Sequence, residues 1–87
     1  MKVAVWDTYV DRTDGKVMHF DILVPDDLKD EEKIFTFGRE FLKSKAFGTG
    51  NLNSSECQFC HIGQATDEMK EKIAADGYYI IEMQNCE

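Results

Sequence analysis

The sequence has no long apolar run, and this absence limits its relation to membranes. No stretch approaches the ~20 consecutive apolar residues of a membrane-spanning helix. The first residues, Met1–Asp7, also lack the apolar core of about 7–15 residues that a signal peptide needs. We therefore expect a cytoplasmic protein without a membrane partner.

Basic residues are outnumbered by acidic ones. The 87 residues include 10 Lys and Arg against 17 Asp and Glu, which gives a net charge of −7. Such a surface repels phosphate backbones, and no stripe of basic and aromatic side chains offsets it, so nucleic acid is not an expected partner. Hydrophobic residues make up 43% of the chain, which is typical of a globular domain, and this length has room for one core. The sequence predicts a single domain over residues 1–87.

Cysteine and histidine are few, and most of them lie close together. The chain has three cysteines and two histidines. Two of the cysteines and one histidine lie in a single pentapeptide, Cys57-Gln58-Phe59-Cys60-His61. The third cysteine, Cys86, is the penultimate residue. An odd number of thiols argues against a closed disulfide framework, and cytoplasmic thiols are normally reduced. The pentapeptide is thus the main candidate for distinctive chemistry.

The first third of the chain predicts a β-hairpin. Residues 2–10 and 16–24 are rich in β-branched and aromatic side chains, and an Asp-Gly turn lies between them. Alternation in the second strand predicts one buried face, made of Met18, Phe20, Ile22 and Val24. His19 and Asp21 belong to the other face and should be more exposed.

The remainder predicts two helices and further strands. Asp30 can cap a helix over about 31–45, whose apolar stripe includes Gly38, a sign of close packing there. A second helix should begin after Thr66 and end at Gly77, before a strand at 78–83. A short strand within 51–56 is weakly indicated. The order β-β-α-(β)-α-β predicts an α+β two-layer sandwich, a small mixed sheet with both helices on one face.

Several of these segments together resemble a known family. The blocks are Asp7-Thr8-Tyr9-Val10, Met18-His19-Phe20-Asp21, Glu56-Cys57-Gln58-Phe59-Cys60-His61 and Gly77-Tyr78, with Cys86 near the end. They resemble the DUF2024 family of small bacterial proteins of unknown function. The resemblance covers nearly the whole chain and implies a compact α+β domain. It implies no activity, substrate or site residues.

The pentapeptide favours zinc among the metals. The C-x2-C pair of Cys57 and Cys60 is half of a common zinc site. His61 and Cys86 could provide the other two ligands. If the last two strands were parallel and joined by a right-handed helical crossover, their ends would share one sheet edge. His19, roughly 16 Å from the end of its own strand, reaches that edge poorly. The sequence thus predicts a binding or interaction module, stabilised by zinc through Cys57, Cys60, His61 and Cys86.

Other interpretations of the same residues stay open at this stage. Cys57 and Cys60 could form the dithiol of a small redox enzyme. The pentapeptide also matches a c-type haem attachment site, although haem attachment generally follows export. The cysteines could equally be packed core residues. Asp7, His19 and Asp21 could be a proton-shuttling group or an ordinary polar patch on the solvent side of the sheet.

Overall fold

The computed structural model describes residues 1–87, the whole chain, and has four strands and two helices. The elements are β1 (Lys2–Asp11), β2 (Val17–Pro25), α1 (Glu31–Lys43), β3 (Cys57–Gln64), α2 (Asp67–Asp76) and β4 (Tyr79–Gln84). The predicted α+β class is confirmed. The third strand begins at Cys57, so the pentapeptide lies inside a strand rather than after one. No helix has the length and apolar character needed to cross a bilayer.

The sheet is antiparallel throughout, with the order β3-β1-β2-β4. The prediction of a mixed sheet with β3 and β4 parallel at one edge is wrong, because these strands form opposite edges. The α2 connection carries the chain across β1 and β2 from one edge to the other. The right-handed crossover rule applies to parallel strands and gives no guidance for this connection.

The larger core lies between the sheet and α1. Its strand contribution includes Met18, Phe20, Ile22 and Val24, each 0% exposed, as the alternation predicts. The side chains of His19 and Asp21, on the other face, are 19% and 14% exposed. The predicted faces of the hairpin are therefore confirmed.

Helix α2 packs on the opposite face from α1. Ile73 of α2 forms a second core with Val3, Val5 and Leu23, residues that alternate with those of the first core. The prediction of both helices on one face is wrong, because the start of β1 is buried on both sides and its apolar run has no solvent face. Helix α2 covers only this part of the sheet and leaves the half that contains His19 uncovered.

Close packing at Gly38 fixes the position of the segment that leads into β3. A Cβ atom on this residue would lie 2.6 Å from Cδ1 of Leu52 and 2.9 Å from Cδ1 of Ile22. Both neighbours are buried. Glycine therefore lets α1 sit directly on β2 and on the loop before the pentapeptide, as its place in the stripe predicts.

Candidate functional site

Two carboxylates and an imidazole meet on the part of the sheet that α2 leaves uncovered. In the hairpin register Asp7 lies directly opposite Asp21, and Tyr9 lies opposite His19. Because residues two apart on a strand share a face, these side chains project from the same surface. His19 Nε2 lies 3.6 Å from Oδ1 of Asp7 and 3.8 Å from Oδ1 of Asp21. We call Asp7, His19 and Asp21 the Asp–His–Asp trio.

The trio leaves buried polar atoms without hydrogen bonds. Nε2 of His19 and Oδ1 of Asp21 are both inaccessible to solvent, and neither has a hydrogen-bond partner. The separations of 3.6 and 3.8 Å within the trio are too long for hydrogen bonds between nitrogen and oxygen. Buried polar atoms in folded proteins are almost always paired, so unpaired ones call for a bound water, an ion or a ligand.

The imidazole of His19 is held in place by its neighbour on β1. The ring of Tyr9 stacks on that of His19, with centroids 4.2 Å apart and an angle of 9° between the planes. Tyr9 itself is 52% exposed and forms the outer wall of the site. The stack fixes the plane of the imidazole and points Nε2 at the two carboxylates.

The carboxylates perturb each other. Burial, and then the hydrogen bond and charge of Asp7, raise the pKa of Asp21 from 3.8 to about 6. The hydrogen bond from Asp21 lowers the pKa of Asp7. One proton is thus shared by the pair up to about pH 6, and above that pH two negative charges face each other in a partly buried site.

Replacing Asp21 by asparagine is expected to stabilise the protein at pH 7–8 by about 1 kcal/mol. The raised pKa lets the folded chain hold a proton that the unfolded chain releases near pH 4, so stability falls between about pH 4 and pH 6. Water on the open side of the site screens the charges, so the expected gain in stability is smaller than the full pKa shift would give. Urea unfolding across pH 3–8 measures it, and the difference from wild type should vanish below about pH 4.

The matched control is Asp27→Asn. Asp27 is exposed and its carboxylate has no hydrogen bond or ion pair, so the same loss of charge should change stability by less than about 0.5 kcal/mol. An equal gain in the free energy of unfolding in both variants would show that the change in net charge causes the effect. Destabilisation by Asp21→Asn at pH 8 would contradict the electrostatic description of the pair.

A β-bulge brings the end of the pentapeptide to the same surface. Trp6 lies opposite Phe59 and Val5 lies opposite His61, so Cys60 is an extra residue in β3. Regular alternation already places Cys60 on the α2 side of the sheet. The extra residue then turns His61 to that side as well, where a regular strand would face it toward α1.

The bulge makes Cys60 and His61 neighbours of the trio. Sγ of Cys60 lies 3.2 Å from Nδ1 of His61. The neighbouring Asp7 carboxylate raises the pKa of Cys60, and Cys60 contributes to lowering that of Asp7. The charge of His61 also acts on the pKa of Asp21. Five polar side chains from three strands thus form one continuous site.

The structure does not bring the four sequence-predicted zinc ligands together. Cys57 is buried in the α1-side core at the start of β3, and Cys86 is buried in the same core just after β4. These strands are the two edges of the sheet, so three strand spacings, about 14 Å, separate them. The thiol of Cys86 instead donates to the carbonyls of His19 and Gln84. Only Cys60 and His61 of the predicted set belong to the site.

The geometry also argues against the dithiol and haem interpretations of the pentapeptide. Cys57 points toward α1 and Cys60 points to the opposite face, and all three cysteines are free thiols. Burial raises the pKa of Cys57, and the neighbouring Asp7 raises that of Cys60, whereas redox-active thiols have lowered pKa values. The geometry supports neither a disulfide between them nor two thioether bonds to one haem.

The fold and site define a class: a small α+β protein whose antiparallel sheet carries a histidine–carboxylate cluster beside a bulged edge strand. The chain belongs to the DUF2024 family, described as a domain of unknown function, whose model matches residues 1–83. The predicted family is therefore confirmed.

A solved relative shares the whole fold. The chain is similar to protein NE1680 from Nitrosomonas europaea, determined by NMR as Northeast Structural Genomics Consortium target NeT5. The two are 40% identical, each chain is covered completely, and the TM-score is 0.85. No curated protein matches the chain.

Proposed function

We propose that this protein is a metal-binding module that holds one divalent transition-metal ion, zinc by preference, at the Asp–His–Asp trio. The observation that carries the proposal is the convergence of one ligand atom from each residue within 4.8 Å of the others. Two of these atoms are buried without a hydrogen-bond partner. A cation bound between the three side chains would satisfy both atoms at once.

The separations within the trio suit zinc. Ligand atoms at about 2.0–2.2 Å from a tetrahedral ion lie about 3.4 Å from one another. The two distances from His19 Nε2, 3.6 and 3.8 Å, need to shorten by only a few tenths of an ångström. Octahedral magnesium places adjacent ligands about 3 Å apart and prefers oxygen to imidazole. Imidazole with carboxylate favours zinc and its transition-metal neighbours.

The charge of the site has the sign that a cation requires. The pKa of Asp21 is about 6. Above that pH, the facing carboxylates of Asp7 and Asp21 together hold two negative charges at close range. A divalent ion would offset both, and neutral His19 would add a nitrogen ligand without further charge. The zinc predicted from the pentapeptide is retained in this proposal, with the trio as its main ligands in place of Cys57 and Cys86.

Zinc titration of the untagged protein at pH 7.5 tests the proposal. We expect one ion per chain by calorimetry and by elemental analysis after gel filtration. At a free zinc concentration of 100 times Kd, the melting temperature should rise by about 10–20 °C. Binding should weaken as the pH falls below about 6, because Asp21 must lose its proton to bind.

The controls separate this site from adventitious binding. Asp27→Asn should bind zinc like the wild type, whereas an Asp7→Asn, Asp21→Asn double variant should bind no ion at the same concentrations. Magnesium at millimolar concentration should neither bind nor compete. Absence of binding to the wild-type chain, or undiminished binding to the double variant, would refute the proposal.

A further inference from the structure

We infer that Cys60 supplies a thiolate to the ion at the trio, so that the site selects thiophilic ions such as zinc, cobalt and cadmium over magnesium and manganese. This inference rests on the proposed function and specifies the class of metal. It assigns to Cys60 and His61 two different roles, one as a ligand and one as the partner of that ligand.

The first argument for this inference is the position of Cys60 in the β-bulge. The extra residue of a β-bulge is unpaired in the ladder, and bulges commonly direct a side chain into a functional site. Cys60 is this residue and lies on the face of the trio, where the neighbouring Asp7 raises the pKa of its thiol. It is exposed and contributes nothing to either core, so packing gives no reason for a thiol there.

The Cys60 side chain must move to reach an ion at the trio. The cluster in which all ligand atoms lie within 4.8 Å of one another consists of the trio alone, so the Cys60 sulfur lies outside it. The inferred movement is a rotation of the Cys60 side chain away from His61 and toward Asp7. Strand β3 is an edge strand, and no neighbouring strand on its outer side opposes this adjustment.

His61 is placed to support the thiolate rather than to bind the ion. Its Nδ1 lies 3.2 Å from the Cys60 sulfur, and in the tautomer that carries its proton on Nδ1 the ring can donate to that sulfur. A ring N–H that donates to a ligand atom orients it and fixes its charge, as the outer partners of metal ligands generally do. His61 is thus a positioning residue whose effect passes through Cys60.

Cobalt(II) provides a direct test, because a thiolate bound to cobalt produces a charge-transfer absorption in the near ultraviolet that oxygen and nitrogen ligands do not. We expect the wild-type chain to show this absorption together with the visible bands of a tetrahedral ion. Cys60→Ser and Cys60→Ala should lose the charge-transfer absorption, keep folding as exposed substitutions do, and bind zinc more than about 10-fold more weakly.

The matched control is Cys86→Ser. It removes a thiol of the other face, and its hydroxyl can still donate to the carbonyls that the Cys86 thiol reaches. This variant should retain the charge-transfer absorption at full intensity. Its loss in Cys86→Ser, or its persistence in Cys60→Ser, would overturn the assignment.

The outcomes distinguish this inference from the proposed function. Cobalt binding by the wild type without a charge-transfer absorption would leave the trio as a metal site and refute the role of Cys60. Equal zinc and manganese affinities would refute the selectivity. Absence of any cobalt or zinc binding would refute the proposed function itself.

Discussion

Replacing His19 by phenylalanine is expected to weaken zinc binding about 100-fold. Structural zinc sites bind with about 10–16 kcal/mol shared among four ligands, so one ligand contributes about 3 kcal/mol, or two orders of magnitude in Kd. Phenylalanine keeps an aromatic ring for the stack with Tyr9 but has no nitrogen. Calorimetric titration with zinc at pH 7.5 measures the change.

The fold should tolerate this substitution. The buried Nε2 of His19 has no hydrogen-bond partner in the metal-free chain, so its removal costs no bond. The comparison is His61→Phe, which removes the other imidazole and should weaken zinc binding only about 10-fold, because the inferred role of His61 is to support Cys60 and not to bind the ion. An unchanged Kd in His19→Phe, with the chain folded, would exclude His19 as a ligand.

Replacing Phe20 by alanine is expected to lower the free energy of unfolding by about 3–5 kcal/mol. Phe20 is 0% exposed on a central strand, and its ring lies 4.7 Å from that of Phe41 on α1. Its loss opens a cavity where helix and sheet meet. For a domain of this size that is a large part of a total stability of about 5–10 kcal/mol.

Urea unfolding monitored by circular dichroism measures the effect of Phe20→Ala. The comparison is Phe59→Ala, on the edge strand and 52% exposed, whose edge-to-face contact with Trp6 should be worth only about 1 kcal/mol. Equal losses in the two variants would contradict the burial that the structure assigns to Phe20. A similar m-value in both would show that the denatured states are comparable.

Local patterns in the sequence predicted the elements well and their assembly poorly. The faces of β2 follow from alternation, and the close approach at Gly38 follows from a glycine in an apolar stripe. The strand order does not follow, because β3 and β4 are each compatible with pairing at either edge. The buried run from Val3 to Trp6 was the signal that both faces of β1 are covered.

The site was predicted in pieces. Alternation already grouped His19 with Asp21 on one face, but nothing in the sequence distinguished a polar patch from a metal site, since the distances depend on the register of β1 and β2. The spacing of Cys57 and Cys60 was misleading for a physical reason. Residues three apart share a side of a helix or a tight turn but point to opposite faces of a strand. The bulge that turns His61 leaves no recognisable sequence signal.

The trio lies within one hairpin, and this has a consequence for the order of folding. Asp7 and Asp21 are brought together when the turn between β1 and β2 closes, an event that takes about 1–10 μs in isolated hairpins. During synthesis the hairpin leaves the ribosome before either helix and before both edge strands. An ion that binds there stabilises the pair of strands on which β3 and β4 later assemble. Zinc would then act on the speed of folding as well as on the finished protein.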